Sequence, residues 1–234
     1  YRARNNSMAL GKFSLRKSRI AKEFLSLELP HLSTDISLDP KDTILGKQWF
    51  LALENSRVVL GVEAGASVFD PEGSIRSKVE EYMKNNPEAS YSELNENVLK
   101  KNEGLLEYKS ISPRHFESIM FKTCQVLYEG SYSNILIPNK HYIELKKDFS
   151  NINEVLSLIE DHNYCQKIAN NAYEDIVVKE HFTYKNFINK VMLNSKCSTK
   201  PTNHNKIKLY LKFISKLHLF YIPNFLKLLL KFRA

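Results

Sequence analysis

Arg57-Val58-Val59-Leu60-Gly61-Val62 is the stretch on which the fold turns. Four of its six residues are Val or Leu, and no polar residue alternates with them. That is the pattern of a short strand covered on both faces, as in a parallel sheet. It runs into Glu63-Ala64-Gly65-Ala66-Ser67, which reads as a small-residue loop, and then into Asp70-Pro71-Glu72-Gly73, whose Pro and Gly spacing predicts a turn.

Outward from this strand the chain alternates between the two periods. Upstream, Ile20, Phe24 and Leu27 recur at helical spacing after Ser14, which predicts a helix over about 15–27 with Ser14 as its N-cap and Pro30 beyond its end. A short extended piece over 32–36 and a helix carrying Trp49, Phe50 and Leu53 follow. Downstream, Ser90 and Glu93 form a capping box for a helix to about Lys101, and Ser112 before Pro113 sets a cap and a proline N1 ahead of Phe116, Ile119 and Met120. Gln125 to Tyr128 and His141 to Leu145 read as strands. Residues 154–159, 164–178 and 184–193 read as helices. Strands alternating with helices predict an α/β domain, Rossmann-like, with a parallel sheet and helices on both faces.

Composition narrows the function classes. The 234 residues carry a net charge of +8, which invites a nucleic-acid reading until the charge is located. Nine of the 34 Lys and Arg residues fall within 196–234, where there is no Asp or Glu, leaving 25 basic against 26 acidic residues before it. The body is nearly neutral, and nucleic acid is not an expected partner. Three cysteines without a CxxC pair exclude a disulfide framework and a zinc knuckle, and fit a reducing compartment.

Several chemistries lack their motifs. There is no GxxxxGK[ST] loop, no GxGxxG and no HExxH, and the seven histidines are not spaced with carboxylates as metal ligands. An Asp-x-Asp pair, the usual metal-holding device of one class of sugar transferases, is missing as well. No metal and no cofactor are expected.

The segment Ser112-Pro113-Arg114-His115-Phe116-Glu117, followed by Cys124-Gln125-Val126-Leu127-Tyr128-Glu129-Gly130 and Pro138, resembles the carboxy-terminal domain of group 1 glycosyltransferases of the GT-B fold. Tyr1-Arg2-Ala3-Arg4, Leu10-Gly11-Lys12, Asp35-Ile36-Ser37, Gly46-Lys47-Gln48-Trp49 and Leu60 to Ser67 resemble a bacterial subgroup of that family, and Tyr132-Ser133-Asn134, His141-Tyr142-Ile143 and Asp148 to Asn151 continue it. The resemblance covers roughly 1–190. It implies that the chain binds a nucleotide diphosphate sugar and transfers its sugar to a surface polysaccharide or lipid-linked oligosaccharide. It implies further that Glu117, on the helix after Pro113, accepts hydrogen bonds from the ribose hydroxyls. The family's second glutamate, eight positions earlier, is Lys109 here, with Glu107 nearby out of register.

Physical chemistry adds candidates beside that glutamate. A helix start carries partial positive charge suited to a diphosphate, and the guanidinium of Arg114 adds a forked donor. Ser112 and His115 flank it. Glu63 and Gly65 sit at a strand's carboxyl end, where open parallel sheets bind ligands. Arg2, Arg4 and Lys12 follow what would be the first strand, where related transferases place cations against the diphosphate. Donors held ready at the departing nucleotide stabilise the charge that develops there. The sequence reads as the donor half alone, so no catalytic base is named.

Residues 1–195 are expected to form the nucleotide-sugar-binding domain, and 196–234 a linker and a basic amphipathic tail. In that tail Lys208, Lys212, Lys216, Lys227 and Lys231 are interleaved with Leu, Ile, Phe and Tyr. The pattern suits a helix at a membrane interface with its lysines near anionic headgroups. It places the protein in the cytoplasm, peripheral to the inner face of the cytoplasmic membrane. The competing reading is a non-catalytic, membrane-associated interaction module built on the same scaffold.

Overall fold

The computed structural model describes residues 1–4 and 6–194. The chain divides into two units, Tyr1–Thr183 and Tyr184–Ala234. The tail lysines, and the boundary drawn at 195–196, lie outside or at the edge of the described residues.

The first unit is built on a parallel three-stranded sheet. Its strands are β1 (Val58–Gly61), Cys124–Tyr128 and Ile143–Leu145, and the long second one lies in the middle. Val58 faces Cys124 and Gly61 faces Leu127 in register, while Val126 pairs with Ile143 and Tyr128 with Leu145. All five residues of the central strand are buried, as a strand flanked and covered on both faces must be. Alternation decides where each side chain goes. Val126 and Tyr128 pack with Leu60, Ile143, Ile20, Phe24, Val155 and Ile168, whereas Leu127 joins Ile119, Tyr132, Tyr142 and Ile176 in a second cluster. One face is therefore covered by α1 (Arg16–Leu25) and by the helices Ile152–Glu160 and His162–Ala172, and the other by the helix Pro113–Met120. The α/β fold with helices on both faces is the one predicted. An extended piece adds to it at the chain start, where Arg2 bridges Ser37 in parallel sense and Ser37 N–H donates to Tyr1 O at 3.0 Å.

Taken in chain order, the remaining elements are α2 (Lys47–Glu54), β2 (Ala64–Ala66), α3 (Ser74–Asn85), α4 (Tyr91–Leu94), β3 (Tyr108–Ser110), α5 (Pro113–Met120), β4 (Cys124–Tyr128), β5 (Ile143–Leu145), α6 (Ile152–Glu160) and α7 (His162–Ala172). In the second unit, α8 spans Tyr184–Asn194. No helix among the described residues is long and apolar enough to cross a membrane.

Several local expectations hold. Ser112 caps α5 with proline in its first turn, and the Ser90–Glu93 capping box closes in both directions. Others are corrected. Ser14 does not cap α1: it lies in a 3-10 turn over Lys12–Leu15, and its hydroxyl donates to Gly11 O at 2.8 Å. The expected loop after β1 is a strand, because Ala64–Ala66 pairs antiparallel with Tyr108–Ser110. Small residues are needed there for close approach. A Cβ on Gly65 would stand 2.0 Å from Tyr108 O and 3.0 Å from the Phe13 ring. The helix α3 escaped the sequence reading altogether. It starts after a left-handed Gly73 and is capped from further back by Asp70, whose Oδ2 accepts from Arg76 N–H at 2.8 Å, and of its apolar stripe Ile75, Val79, Tyr82 and Met83 only Val79 is buried.

Candidate functional site

A cavity of about 420 Å³ opens beside the carboxyl end of β1. Its walls come from three places: the chain start with Arg2 and Arg4, the segment Val59 to Val62, and the first turns of α5 with Ser112, Arg114, His115 and Ser118. Lys17 from α1 and Trp49 from α2 complete it, with Asp39, Thr43 and Leu45 at one side. Helix α5 leads into β4, which lies parallel to β1, so it runs back against the strands and brings its N-terminus to their carboxyl edge. That edge is where open α/β sheets take ligands.

Charge is the cavity's distinguishing property. Four cationic side chains, Arg2, Arg4, Lys17 and Arg114, line it against the single acid Asp39. They are not equivalent. Arg2 is spent on the protein: it grips both carboxylate oxygens of Asp35 at 2.7 and 2.9 Å and donates to the carbonyls of Asp42, Asp35 and Tyr1. It pins the chain start. Among the described residues Arg4 donates only to Thr43 Oγ1, at 3.1 Å. Arg114 donates from Nη1 to Arg2 O at 2.8 Å, and its guanidinium lies 5.1 Å from the Trp49 ring centroid, which fixes its orientation while leaving further N–H groups for a ligand. Lys17 has no carboxylate within ion-pair reach among the described residues. Burial, and then the charge of Arg114, hold its ammonium below the ordinary lysine range. A half-buried cation without a counter-ion, beside a second cation, is the arrangement an anion would relieve.

The amides of α5 contribute less than the helix start implied. Pro113 has no N–H, Arg114 N–H already reaches Ser112 Oγ at 3.4 Å, and His115 N–H donates to Ser112 O at 3.0 Å. The positive charge at the cavity therefore comes chiefly from side chains.

His115 is 3% exposed and packed over Gly61, where a Cβ would come within 2.9 Å of its ring. Its Nδ1 lies 2.8 Å from Gln125 Oε1 and its Nε2 3.2 Å from Val62 O, and its ring meets the Tyr132 ring edge-on at 5.2 Å. Burial pushes the imidazole below its ordinary value, against the two carbonyl contacts, which favour the charged form.

The remaining candidates lie elsewhere. Glu117 is half-buried on α5, and its Oε2 accepts from Trp49 Nε1 at 2.8 Å; Trp49 lines the cavity, whereas Glu117 stands behind it. Glu63 is 5% exposed, and its Oε1 accepts from Ser131 N, Ser131 Oγ and Tyr132 N at 3.2, 2.9 and 2.8 Å. It anchors a turn in which Tyr132, Ser133 and Asn134 all have positive φ, a strained run that needs such bonds to persist. Gly65 serves the β2–β3 pairing. The Lys12 side chain is exposed and away from the cavity, and its backbone N–H donates to Glu103 Oε2 at 3.2 Å. The cavity thus gathers Arg2, Arg4, Ser112, Arg114 and His115 but not Lys12, Gly65 or Glu63.

Lys17 was missed. A signal for it existed: Arg16 and Lys17 open α1 at the end where the helix dipole disfavours cations. Among the described residues no group of three or more His, Cys, Asp or Glu is placed to hold a metal.

No family model and no curated protein match the chain. Among solved structures, that of TarM, a wall teichoic acid glycosyltransferase, aligns with 62% of this chain at 17% identity and a TM-score of 0.33. The chain covers 36% of TarM, about a third of its length.

Proposed function

We propose that this chain holds the nucleotide diphosphate of a sugar donor in the cavity beside β1, and serves glycosyl transfer to a surface polysaccharide or lipid-linked acceptor. The observation that carries the reading is the cluster of Arg4, Lys17 and Arg114 around the carboxyl end of a parallel strand, with one lining acid opposite. In this reading the side-chain cations meet the negative charge that builds on the departing diphosphate, a stabilisation greater in the transition state than in the ground state. Glu117 would accept from the ribose just behind the phosphates.

Affinity for pyrophosphate, UDP and GDP tests the reading. Replacement of Arg114 by Ala weakens all three, whereas Glu117→Ala weakens the nucleotides more than pyrophosphate. Equal losses for all ligands in Glu117→Ala would remove the ribose assignment. Attachment to the inner face of the cytoplasmic membrane through residues 204–234 belongs to the same proposal. It predicts that the chain sediments with anionic liposomes and that a chain ending at 203 does not.

A further inference from the structure

Arg4, Lys17 and Arg114 supply the charged part of the cavity wall, and Leu45 and Trp49 supply an apolar part. Leu45 is 75% exposed, and a single exposed leucine means little by itself. Beside a half-buried indole in the lining of the same cavity, it makes an apolar surface next to a cationic one. The indole is held in place. Its Nε1 donates to Glu117 Oε2 at 2.8 Å, and the Arg114 guanidinium lies over its ring, 5.1 Å from the centroid. Helix α2, which carries it, is docked by Phe50, stacked on Phe121 with centroids 5.5 Å apart and planes 17° from parallel, and by Leu53 O, which accepts from Thr123 Oγ1 at 2.8 Å. An aromatic ring fixed before a ligand arrives loses little freedom when a planar group packs on it.

The cavity, at about 420 Å³, falls in the range of sites that enclose a drug-sized molecule, which a nucleoside diphosphate is and a bare diphosphate is not. A lining with one cationic and one apolar part fits an anionic chain that carries a planar aromatic group. Resting on the donor reading above, we propose that Trp49 is the platform on which the nucleobase packs, with Leu45 against the base and the diphosphate toward Arg4, Lys17 and Arg114. Stacking uses the π-face that every base has, so this contribution extends to UDP and GDP alike.

The test is the affinity of the intact chain, of Trp49→Leu and of Leu45→Ser for UDP, GDP and pyrophosphate, by titration calorimetry. Trp49→Leu keeps apolar bulk and deletes the aromatic ring. It should weaken UDP and GDP by between about fivefold and a hundredfold, as loss of a base-stacking ring does, and pyrophosphate by less than about threefold. Leu45→Ser, at an exposed position whose change leaves the fold unburdened, should weaken both nucleotides about threefold or more and leave pyrophosphate unchanged. Trp49 is the only tryptophan of the chain, so its emission reports this position directly, and UDP and GDP should quench it with a half-saturation equal to the calorimetric Kd. If the nucleotides bind the unaltered chain but neither quench Trp49 nor weaken in the two variants, the inference is overturned and the donor reading stands. If Trp49→Leu weakens pyrophosphate as much as UDP, the indole acts by orienting Arg114 and the inference is again overturned. Absence of binding by every nucleotide and by pyrophosphate removes both the donor reading and this inference.

Discussion

Replacing Lys17 by Met separates a binding cation from a structural one. Met keeps the length and apolar stem of the side chain and deletes the charge. In the folded chain the Lys17 ammonium is half-buried, without a carboxylate partner among the described residues, and disfavoured by burial and by Arg114. A phosphate oxygen about 4 Å from it would gain roughly 4 kcal/mol per charge pair at an effective dielectric of about 20. Solvent at a half-exposed position screens part of this, and the measured worth of hydrogen bonds to charged groups, about 1.5–3 kcal/mol, is the better guide. Lys17→Met should therefore weaken pyrophosphate and UDP by roughly 10- to 100-fold in titration calorimetry. Stability should move the other way or not at all, because a cation the folded state disfavours has been removed. A urea midpoint equal to or above that of the unaltered chain, together with weakened binding, is the expected pair. Unchanged pyrophosphate affinity would refute the reasoning, and so would a large loss of stability, which would make Lys17 a packing residue.

Three further outcomes follow from the same contacts. Glu63→Ala strips the acceptor from Ser131 N, Ser131 Oγ and Tyr132 N and should cost about 3 kcal/mol in urea unfolding; a cost below about 1 kcal/mol would show that the positive-φ turn holds without it. Gly65→Ala drives a methyl against Tyr108 O and should expose the β2–β3 amides to hydrogen exchange while β4 stays protected. The His115 imidazole is held below its ordinary 6.5, so between its folded and ordinary values the unfolded chain binds more protons, and stability rises with pH through that window. His115→Asn should flatten the pH dependence of the urea midpoint below 6.5, and an unaltered slope would show that carboxylates elsewhere account for it.

The sheet was legible because β1 is apolar without alternation and β4 carries one polar residue, Gln125, in an otherwise apolar run, as burial on both faces requires. Caps were legible where a side chain makes them, at Ser90 and Ser112. Ser14 misled because a serine before a helical stripe can equally bond back within a 3-10 turn, which local sequence does not decide. The β2–β3 pairing joins residues more than forty positions apart, and nothing in Ala64-Gly65-Ala66 announces its partner. At the site, Arg114 was legible as a cation beside a cap, but that Trp49 would intercept Glu117 depends on how α2 docks against α5. Lys17 was obscured by the helical stripe it belongs to, which draws attention to Ile20 and Phe24 rather than to the cations at its start. The tail lysines carry their signal in composition alone.

The central claim is that the cationic cavity beside β1 takes a nucleotide diphosphate. Titration of the intact chain with UDP, GDP and CMP, followed through its backbone amide resonances, tests it most directly. Saturable binding of at least one nucleoside diphosphate is expected, stronger than that of CMP, with the largest shifts at Arg4, Lys17, Val62 and Arg114. Absence of saturation at millimolar concentration, or shifts gathered away from those residues, would contradict it.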